Sequence, residues 1–116
     1  MQYLLMIYSA ESDEPTDGTP EFDAHIGRYV ALADELREAG VMLDGRPLDR
    51  ISTATTVRVR DGETMVTDGP FAETKEQLGG FFLVECANLD DAIACAERIP
   101  SAEFGSIEIR PIMQLE

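Results

Sequence analysis

The pattern of apolar and polar residues predicts strands near the beginning, the middle and the end of the chain. Gln2–Ser9 contains an uninterrupted apolar run at Tyr3–Tyr8, and Leu78–Cys86 contains one at Phe81–Val84. Because neighbouring side chains of a strand point to opposite faces, both runs predict strands that are buried on both sides, and we expect Leu78–Cys86 to be central. Ser106–Met113 alternates isoleucine with charged residues, which predicts a strand at or near a sheet edge. Gly79 and Gly80 predict a bulge or a close approach of another backbone segment.

Two segments with helical spacing lie between these strands. Thr19 and Pro20 have the chemistry of an N-cap followed by proline at the first helical position, and Gly40 suits the left-handed residue that ends a helix. A second, shorter helix is predicted from Asn88 to a stop at Pro100. The first helix carries apolar residues every three or four positions, which predicts a side that packs on the sheet. These residues are Phe22, Ile26, Tyr29, Ala33 and Leu36.

A hairpin is predicted between the first helix and the central strand. Thr53–Arg60 and Glu63–Thr67 are strand-like and are joined by Asp61-Gly62, a dipeptide that accepts the positive φ values of a two-residue turn. Val41–Leu43 precedes the hairpin as a short strand that runs into a turn containing Asp44. With the hairpin counted as an insertion, the order of elements is βαββαβ. We therefore expect one α+β domain of the ferredoxin-like type over residues 1–116.

Two helices can cover only one face of such a sheet, although two of the predicted strands are apolar on both faces. An exposed apolar surface of that size is unusual on a soluble monomer. We therefore predict a symmetric homodimer packed sheet against sheet, the arrangement of a dimeric α+β barrel. The alternative is that long side chains and the hairpin at residues 53–67 fold over the open face.

Composition restricts the partners and the compartment. Nine Lys and Arg against 23 Asp and Glu give a formal charge of −14, which repels nucleic acid and acidic membrane surfaces. No apolar run approaches the roughly 20 residues that span a bilayer, and Met1–Tyr8 lacks the features of a secretory signal. We therefore expect a cytoplasmic protein with no direct nucleic-acid or membrane contact. Cys86 and Cys95 lack the spacing of a redox or zinc motif, so reduced thiols are expected.

The turn Asp68-Gly69-Pro70-Phe71 is the most specific local feature of the sequence. Gly69 tolerates backbone dihedrals that other residues avoid, and Pro70 fixes its own φ. Asp68 can accept a hydrogen bond from a backbone N–H two residues further on. Such a turn can aim the carboxylate of Asp68 at a ligand. The alternative is that this carboxylate only caps its own backbone.

The motif Asp68–Glu85, preceded by Thr53–Gly62, resembles the DGPF branch of the YCII-related proteins. The resemblance extends from Tyr3–Tyr8 to Ser106–Pro111. It implies the same ferredoxin-like fold and the same sheet-on-sheet dimer that the pattern of apolar residues predicts. Proteins of this kind are frequently associated with sigma factors. The resemblance therefore also implies a sigma-factor-linked protein partner.

His25 is the only histidine, and it lies on the predicted first helix at the border of the apolar stripe. Histidine changes its charge near neutral pH and is therefore suited to proton transfer. The resemblance implies the same role, because the wider YCII group has a histidine early on this helix, proposed to work with an aspartate that precedes a proline. The matching stretch here is Ile99-Pro100. Either Asp68 replaces that aspartate, or the pair is absent and His25 is a packing residue.

These residues support two hypotheses of different classes. The first is a cofactor-independent enzyme of the lyase, isomerase or hydrolase type, in which His25 and Asp68 do acid–base work and Tyr8, Arg58 and Phe71 contact the substrate. The second is a non-catalytic ligand-binding or regulatory dimer linked to transcription initiation through protein contacts. Neither needs a cofactor or a metal, since the glycines are not placed as in a phosphate-binding loop and the loop acids lack EF-hand spacing.

Overall fold

The computed structural model describes residues 1–115, so that only the last residue of the predicted domain lies outside it. The sequence forms a mixture of helices and antiparallel strands, as predicted. In chain order the elements are β1 (Gln2–Ser9), α1 (Pro20–Glu38), β2 (Met42–Pro47), β3 (Thr55–Arg60), β4 (Glu63–Asp68), β5 (Gln77–Glu85), α2 (Leu89–Ala96) and β6 (Ser106–Pro111). Short 3-10 helices occur at Glu11–Asp13, Ile51–Thr53 and Pro100–Glu103.

Four of the strands form an antiparallel sheet in the order β2-β5-β1-β6. This order, with β5 inside and β6 at an edge, confirms the predicted ferredoxin-like arrangement. One face of the sheet packs against the helices and holds the core, in which Leu5 and Val84 are completely buried. The helix ends use the predicted caps: Thr19 Oγ1 accepts a hydrogen bond from the Phe22 N–H (3.2 Å), and Asn88 Oδ1 accepts one from the Asp91 N–H (2.9 Å).

Both predictions for the Gly79-Gly80 pair are confirmed. Ile7 pairs with Gly80, whereas Tyr8 pairs with Leu78, so Gly79 is the extra residue of a β-bulge. Gly80 lies against β2, where a Cβ atom would come within 2.9 Å of the Arg46 carbonyl oxygen.

The predictions for Asp44 and for part of α1 are wrong. Asp44 belongs to β2 and pairs with Leu83 next to a register shift, so it is a strand residue and not a turn residue. On α1, the predicted stripe packs on the sheet only in the second half, where Ala33 and Leu36 are buried. Ile26 is 42% exposed, because the first half of the helix stands over a cavity.

The hairpin β3–β4 forms a separate two-stranded sheet, which we call the arm (residues 55–68). Its turn has the predicted positive φ angles, 53° at Asp61 and 78° at Gly62. Thr56 is half-buried and every other residue of the arm is exposed. The molecule measures 47 × 47 × 19 Å and its radius of gyration is 16.0 Å, against about 13 Å for a compact chain of this length. The alternative in which the hairpin folds over the sheet is therefore wrong.

The second face of the sheet, which we call the open face, consists of Leu4, Met6, Phe81 and Leu83. These side chains alternate with the buried residues of β1 and β5 and are themselves half-buried within the subunit. The two edge strands carry charged residues at the neighbouring positions. On β2, Asp44 forms an ion pair with Arg46, and on β6, Glu108 forms an ion pair with Arg110. No helix within residues 1–115 has the length and apolarity needed to cross a membrane.

Candidate functional site

A cavity of about 540 Å³ lies between the first half of α1, the loop after β1 and the adjoining ends of β2 and β5. This volume is within the usual range for small-molecule sites. The bulge at Gly79 and the close approach at Gly80 bring the backbones of β5 and β2 into its wall. Most of the lining is apolar. The large apolar side chains that line it include Phe22, Ile26, Val30, Met42, Leu48 and Phe82.

His25 lines this cavity and is buried. Its Nε2 atom lies 3.1 Å from Oε2 of Glu14, a residue of the loop that leads into α1. The imidazole packs edge-on against the ring of Tyr29, with centroids 5.2 Å apart, and next to Phe104 at 5.8 Å. A carboxylate and two aromatic rings therefore fix the orientation of the imidazole.

Glu14 connects His25 to a network of hydroxyl groups. The Ser9 Oγ donates to Glu14 Oε1 at 2.6 Å, and the Ser101 Oγ donates to the same oxygen at 3.4 Å. Tyr29 in turn donates its hydroxyl hydrogen to Ser101 Oγ at 2.7 Å. Within residues 1–115, no buried polar side-chain atom lacks a hydrogen-bond partner. The carboxylate is thus a meeting point for β1, α1 and the segment after α2.

Tyr29 remains a neutral hydrogen-bond donor at physiological pH. Burial raises the pKa of its hydroxyl above the ordinary value of 10.0, and this effect is opposed by the hydrogen bond to Ser101. The ring also packs edge-on against Phe82, with centroids 6.2 Å apart. Tyr29 therefore joins the polar network to the apolar core.

An ion pair and a hydrogen bond connect residues that line the cavity. Arg50 lies 3.4 Å from Asp17, and Glu11 accepts a hydrogen bond from the backbone N–H of Ile51 at 2.8 Å. These two contacts tie the loop after β1 to the segment after β2. In the part of the chain that the structure describes, His, Cys, Asp and Glu side chains form no cluster of three or more that would hold a metal.

The predicted site residues lie on different surfaces. His25 lines the cavity, whereas Asp68, Arg58 and Phe71 lie on the arm or directly after it and are absent from the cavity lining. Phe71 is 78% exposed. Tyr8 lies on the open-face side of β1, because its neighbours Ile7 and Ser9 belong to the buried side of this strand. Within one subunit Asp68 is not the carboxylate beside His25, and whether the two act together stays a prediction.

The turn after the arm has its predicted conformation but not its predicted hydrogen bond. Gly69 has a φ of 98°, and its N–H donates to the Ala54 carbonyl oxygen at 2.7 Å. The Asp68 carboxylate has no hydrogen bond to another described residue. The bond expected from two residues further on cannot form, because that residue is Pro70, which has no N–H.

Four residues of the network were not predicted as site residues: Ser9, Glu14, Tyr29 and Ser101. Ser9 could have been recognised from the sequence, because it continues the buried side of β1 after Leu5 and Ile7. A hydroxyl at such a position needs a partner. Ile99, which stands where the resemblance places an aspartate, is 1% exposed and belongs to the core.

Comparison with other proteins places these features in a family. An uncharacterised protein of Rhizobium meliloti (strain 1021) is 39% identical over 114 residues, which cover 97% of this chain and 92% of the relative. Among solved structures, 5-chloro-2-hydroxyhydroquinone dehydrochlorinase from Burkholderia phenoliruptrix AC1100, in complex with 2,5-dihydroxybenzoquinone, has a TM-score of 0.50 and 15% identity. The match covers 97% of this chain and 94% of that one, and it shows a similar fold. The family model of the YCII-related domain matches residues 1–116, and the chain belongs to this family.

Proposed function

We propose that the protein binds a small organic molecule in the cavity and that His25 exchanges a proton with it. The observation that carries this proposal is the placement of His25, a buried imidazole on a cavity wall with Nε2 3.1 Å from Glu14. If Nε2 donates its hydrogen to the carboxylate, Nδ1 is left as the proton acceptor of the neutral ring. Glu14 then stabilises the imidazolium that forms when His25 takes up a proton.

The lining indicates the kind of molecule that binds. Its walls are mostly apolar, so the ligand is largely apolar, and its polar groups face Glu14, His25 and Tyr29. Lyase, isomerase or hydrolase chemistry fits such a site, because each can proceed by proton transfer from a positioned side chain. The dehydrochlorinase of similar fold binds 2,5-dihydroxybenzoquinone, a small ring compound. At 15% identity it supports the fold, and the argument for proton transfer rests on His25 and Glu14.

We further propose that the protein belongs to the DGPF branch, is cytoplasmic and works as a homodimer packed through the open face. The apolar side chains of Leu4, Met6, Phe81 and Leu83 support the dimer, because they lie together in the middle of a sheet face that no helix within residues 1–115 covers. A role for Asp68, Arg58 and Phe71 in the site requires a second subunit that brings them to the cavity.

The single histidine makes the proposal testable without a known substrate. The protein, labelled with ¹⁵N at histidine, is titrated with small ring compounds, starting with 2,5-dihydroxybenzoquinone and phenol. We expect ligands that raise the melting temperature to shift the two ring nitrogen signals of His25. A ligand that stabilises the protein but leaves both signals in place would show that binding occurs elsewhere and would contradict the proposal.

Turnover of each bound compound is then compared among variants. His25→Asn is expected to retain binding and lose turnover, whereas Glu38→Gln, at an exposed position outside the cavity lining, is expected to leave both unchanged. Equal turnover in His25→Asn and the unchanged protein would remove His25 from the chemistry. Binding without turnover in every case would favour the non-catalytic ligand-binding dimer, for which the sigma-factor-linked partner stays a prediction.

A further inference from the structure

The side chain of Met42 fills a gap on the cavity side of β2. This gap lies at Gly45, which pairs with Phe82, a residue whose side chain belongs to the core. The Cε methyl group of Met42 occupies the gap, because a Cβ atom at Gly45 would overlap it. Met42, Gly45 and Phe82 all line the cavity. The flexible end of one buried side chain therefore forms part of the cavity wall.

The methyl group of Met42 and the polar network around Glu14 lie at different levels of the sheet. Gly45 is level with Leu5 of β1, because both residues pair with the same residue of β5. Ser9, which donates a hydrogen bond to Glu14, lies four residues beyond Leu5, a distance of about 13 Å at the usual rise of a strand. Side chains project into part of this length. The space that remains suits one ring with a short substituent.

The end of the cavity at Met42 is suited to an apolar group. Met42 belongs to the same core cluster as Ala33 and Phe82, which also line the cavity. Arg37 and Arg46 are in the lining as well. Each of these arginines is paired with a carboxylate of its own element, and more than half of each side chain is exposed. Their charges are therefore directed to the solvent, and the wall beside Met42 is apolar.

We propose that Met42 limits the length of the ligand and thereby selects a single-ring compound with a hydroxyl group at one end and a short apolar substituent at the other. This inference rests on the proposed function, since it places the hydroxyl group at His25. The substituent ends against the Met42 methyl group. Because a methionine side chain is flexible, the limit depends on its neighbour Gly45. A larger residue there would displace the Met42 methyl group into the cavity.

The test measures the affinity of the full chain for para-alkyl phenols, with chains from methyl to hexyl, by isothermal titration calorimetry. Affinity should rise about fourfold with each added carbon until the chain reaches Met42, and then fall. Met42→Ala removes the side chain beyond Cβ and should lengthen the best-binding chain by about three carbons. Gly45→Ala should shorten it by about one carbon. The matched control is Met113→Ala, at a position that is 77% exposed and outside the cavity lining, and it should leave the best chain length unchanged.

A second measurement covers the case in which Met42→Ala fails to fold, since Met42 belongs to the core. In the unchanged protein, labelled with ¹³C at the methionine methyl groups, the methyl group of Met42 should give nuclear Overhauser effects to the α-hydrogens of Gly45 and to the chain end of a bound phenol. The absence of either effect would overturn the proposal.

The proposed limit on length and the proposed function fail in different ways. Shifted His25 signals together with the same best chain length in Met42→Ala, Gly45→Ala and the unchanged protein would overturn the limit set by Met42. Binding that follows the expected chain lengths but leaves the His25 signals in place would contradict proton exchange at His25. Binding of none of the phenols would overturn the class of ligand inferred here.

Discussion

His25 Nε2 and Glu14 Oε2 lie 3.1 Å apart, and this contact joins the first helix to the loop that precedes it. The same carboxylate receives a hydrogen bond from Ser9 at the end of β1. A single side chain therefore organises the polar end of an otherwise apolar cavity. Changes at Glu14 should consequently affect both the state of the imidazole and the stability of the fold.

Replacing Glu14 by Leu should release the imidazole from one tautomer and destabilise the protein. The neutral ring of the unchanged protein should carry its hydrogen on Nε2, which long-range ¹H–¹⁵N correlation spectra of the single histidine report directly. Loss of the acceptor for Ser9 should lower the free energy of unfolding by about 1–3 kcal/mol. Glu38→Leu, at an exposed position at the end of α1, is the control. It should change neither the tautomer of His25 nor the free energy of unfolding. An unaltered tautomer in Glu14→Leu would contradict the assigned contact.

Tyr29 should make the stability of the protein fall in alkaline solution. Burial raises the pKa of Tyr29 above 10.0, so as the pH rises past that value the unfolded chain loses the phenolic proton before the folded chain does. The free energy of unfolding therefore decreases as the pH rises from the ordinary pKa of tyrosine to the pKa of Tyr29 in the folded protein. Below this pH range, the stabilising contribution of Tyr29 is fully present. Urea unfolding from about pH 9 to about pH 11 should show a shallower decline for Tyr29→Phe. Equal declines would contradict the prediction.

The elements that were predicted correctly depend on residues close together in sequence. Thr19, Asn88 and Asp61-Gly62 each determine a cap or a turn through their own backbone and the next few residues. The position of the first half of α1 was not predictable in this way. Ile26 has the spacing of a buried residue, but its exposure depends on the cavity between the helix and the sheet.

Gly80→Ala should be much more harmful than Gly79→Ala. A Cβ atom at Gly80 would lie 2.9 Å from the Arg46 carbonyl oxygen, a backbone atom that can move only if β2 moves. At Gly79 the nearest atom would be 3.9 Å away, which is an ordinary contact. We expect Gly80→Ala to lower the free energy of unfolding by about 1–3 kcal/mol and Gly79→Ala by less than about 1 kcal/mol. Urea unfolding of the two variants checks the difference, and similar losses would contradict the close approach of β2.

Ile99 should behave as a core residue and not as a vacant catalytic position. Ile99→Ala should lower the free energy of unfolding by about 2–5 kcal/mol, and Ile99→Val by about 0.5–1.5 kcal/mol, because the side chain is 1% exposed. Ile99→Asp, which would restore the aspartate of the wider family, should unfold the protein because it buries an unpaired carboxylate. A folded and stable Ile99→Asp variant would contradict this assignment.

The candidate site was only partly predictable because its members come from distant parts of the chain. His25 was predicted as a site residue from its residue type and its helix, and it lines the cavity. The sequence did not indicate which acid would approach it, since several acids lie in the loop at residues 11–17 and Glu14 is selected by the path of that loop. Ser101 lies after α2 and is 87 residues away from Glu14 in the sequence, so its contact with Glu14 depends on the packing of the whole chain.

The Asp61-Gly62 turn lies at the exposed tip of a hairpin that contributes no residue to the core. Extra residues placed at this tip would leave the framework around His25 unchanged, because exposed loop tips tolerate insertion. The turn is therefore a suitable position for a fluorescent or affinity label that reports on the protein in cells.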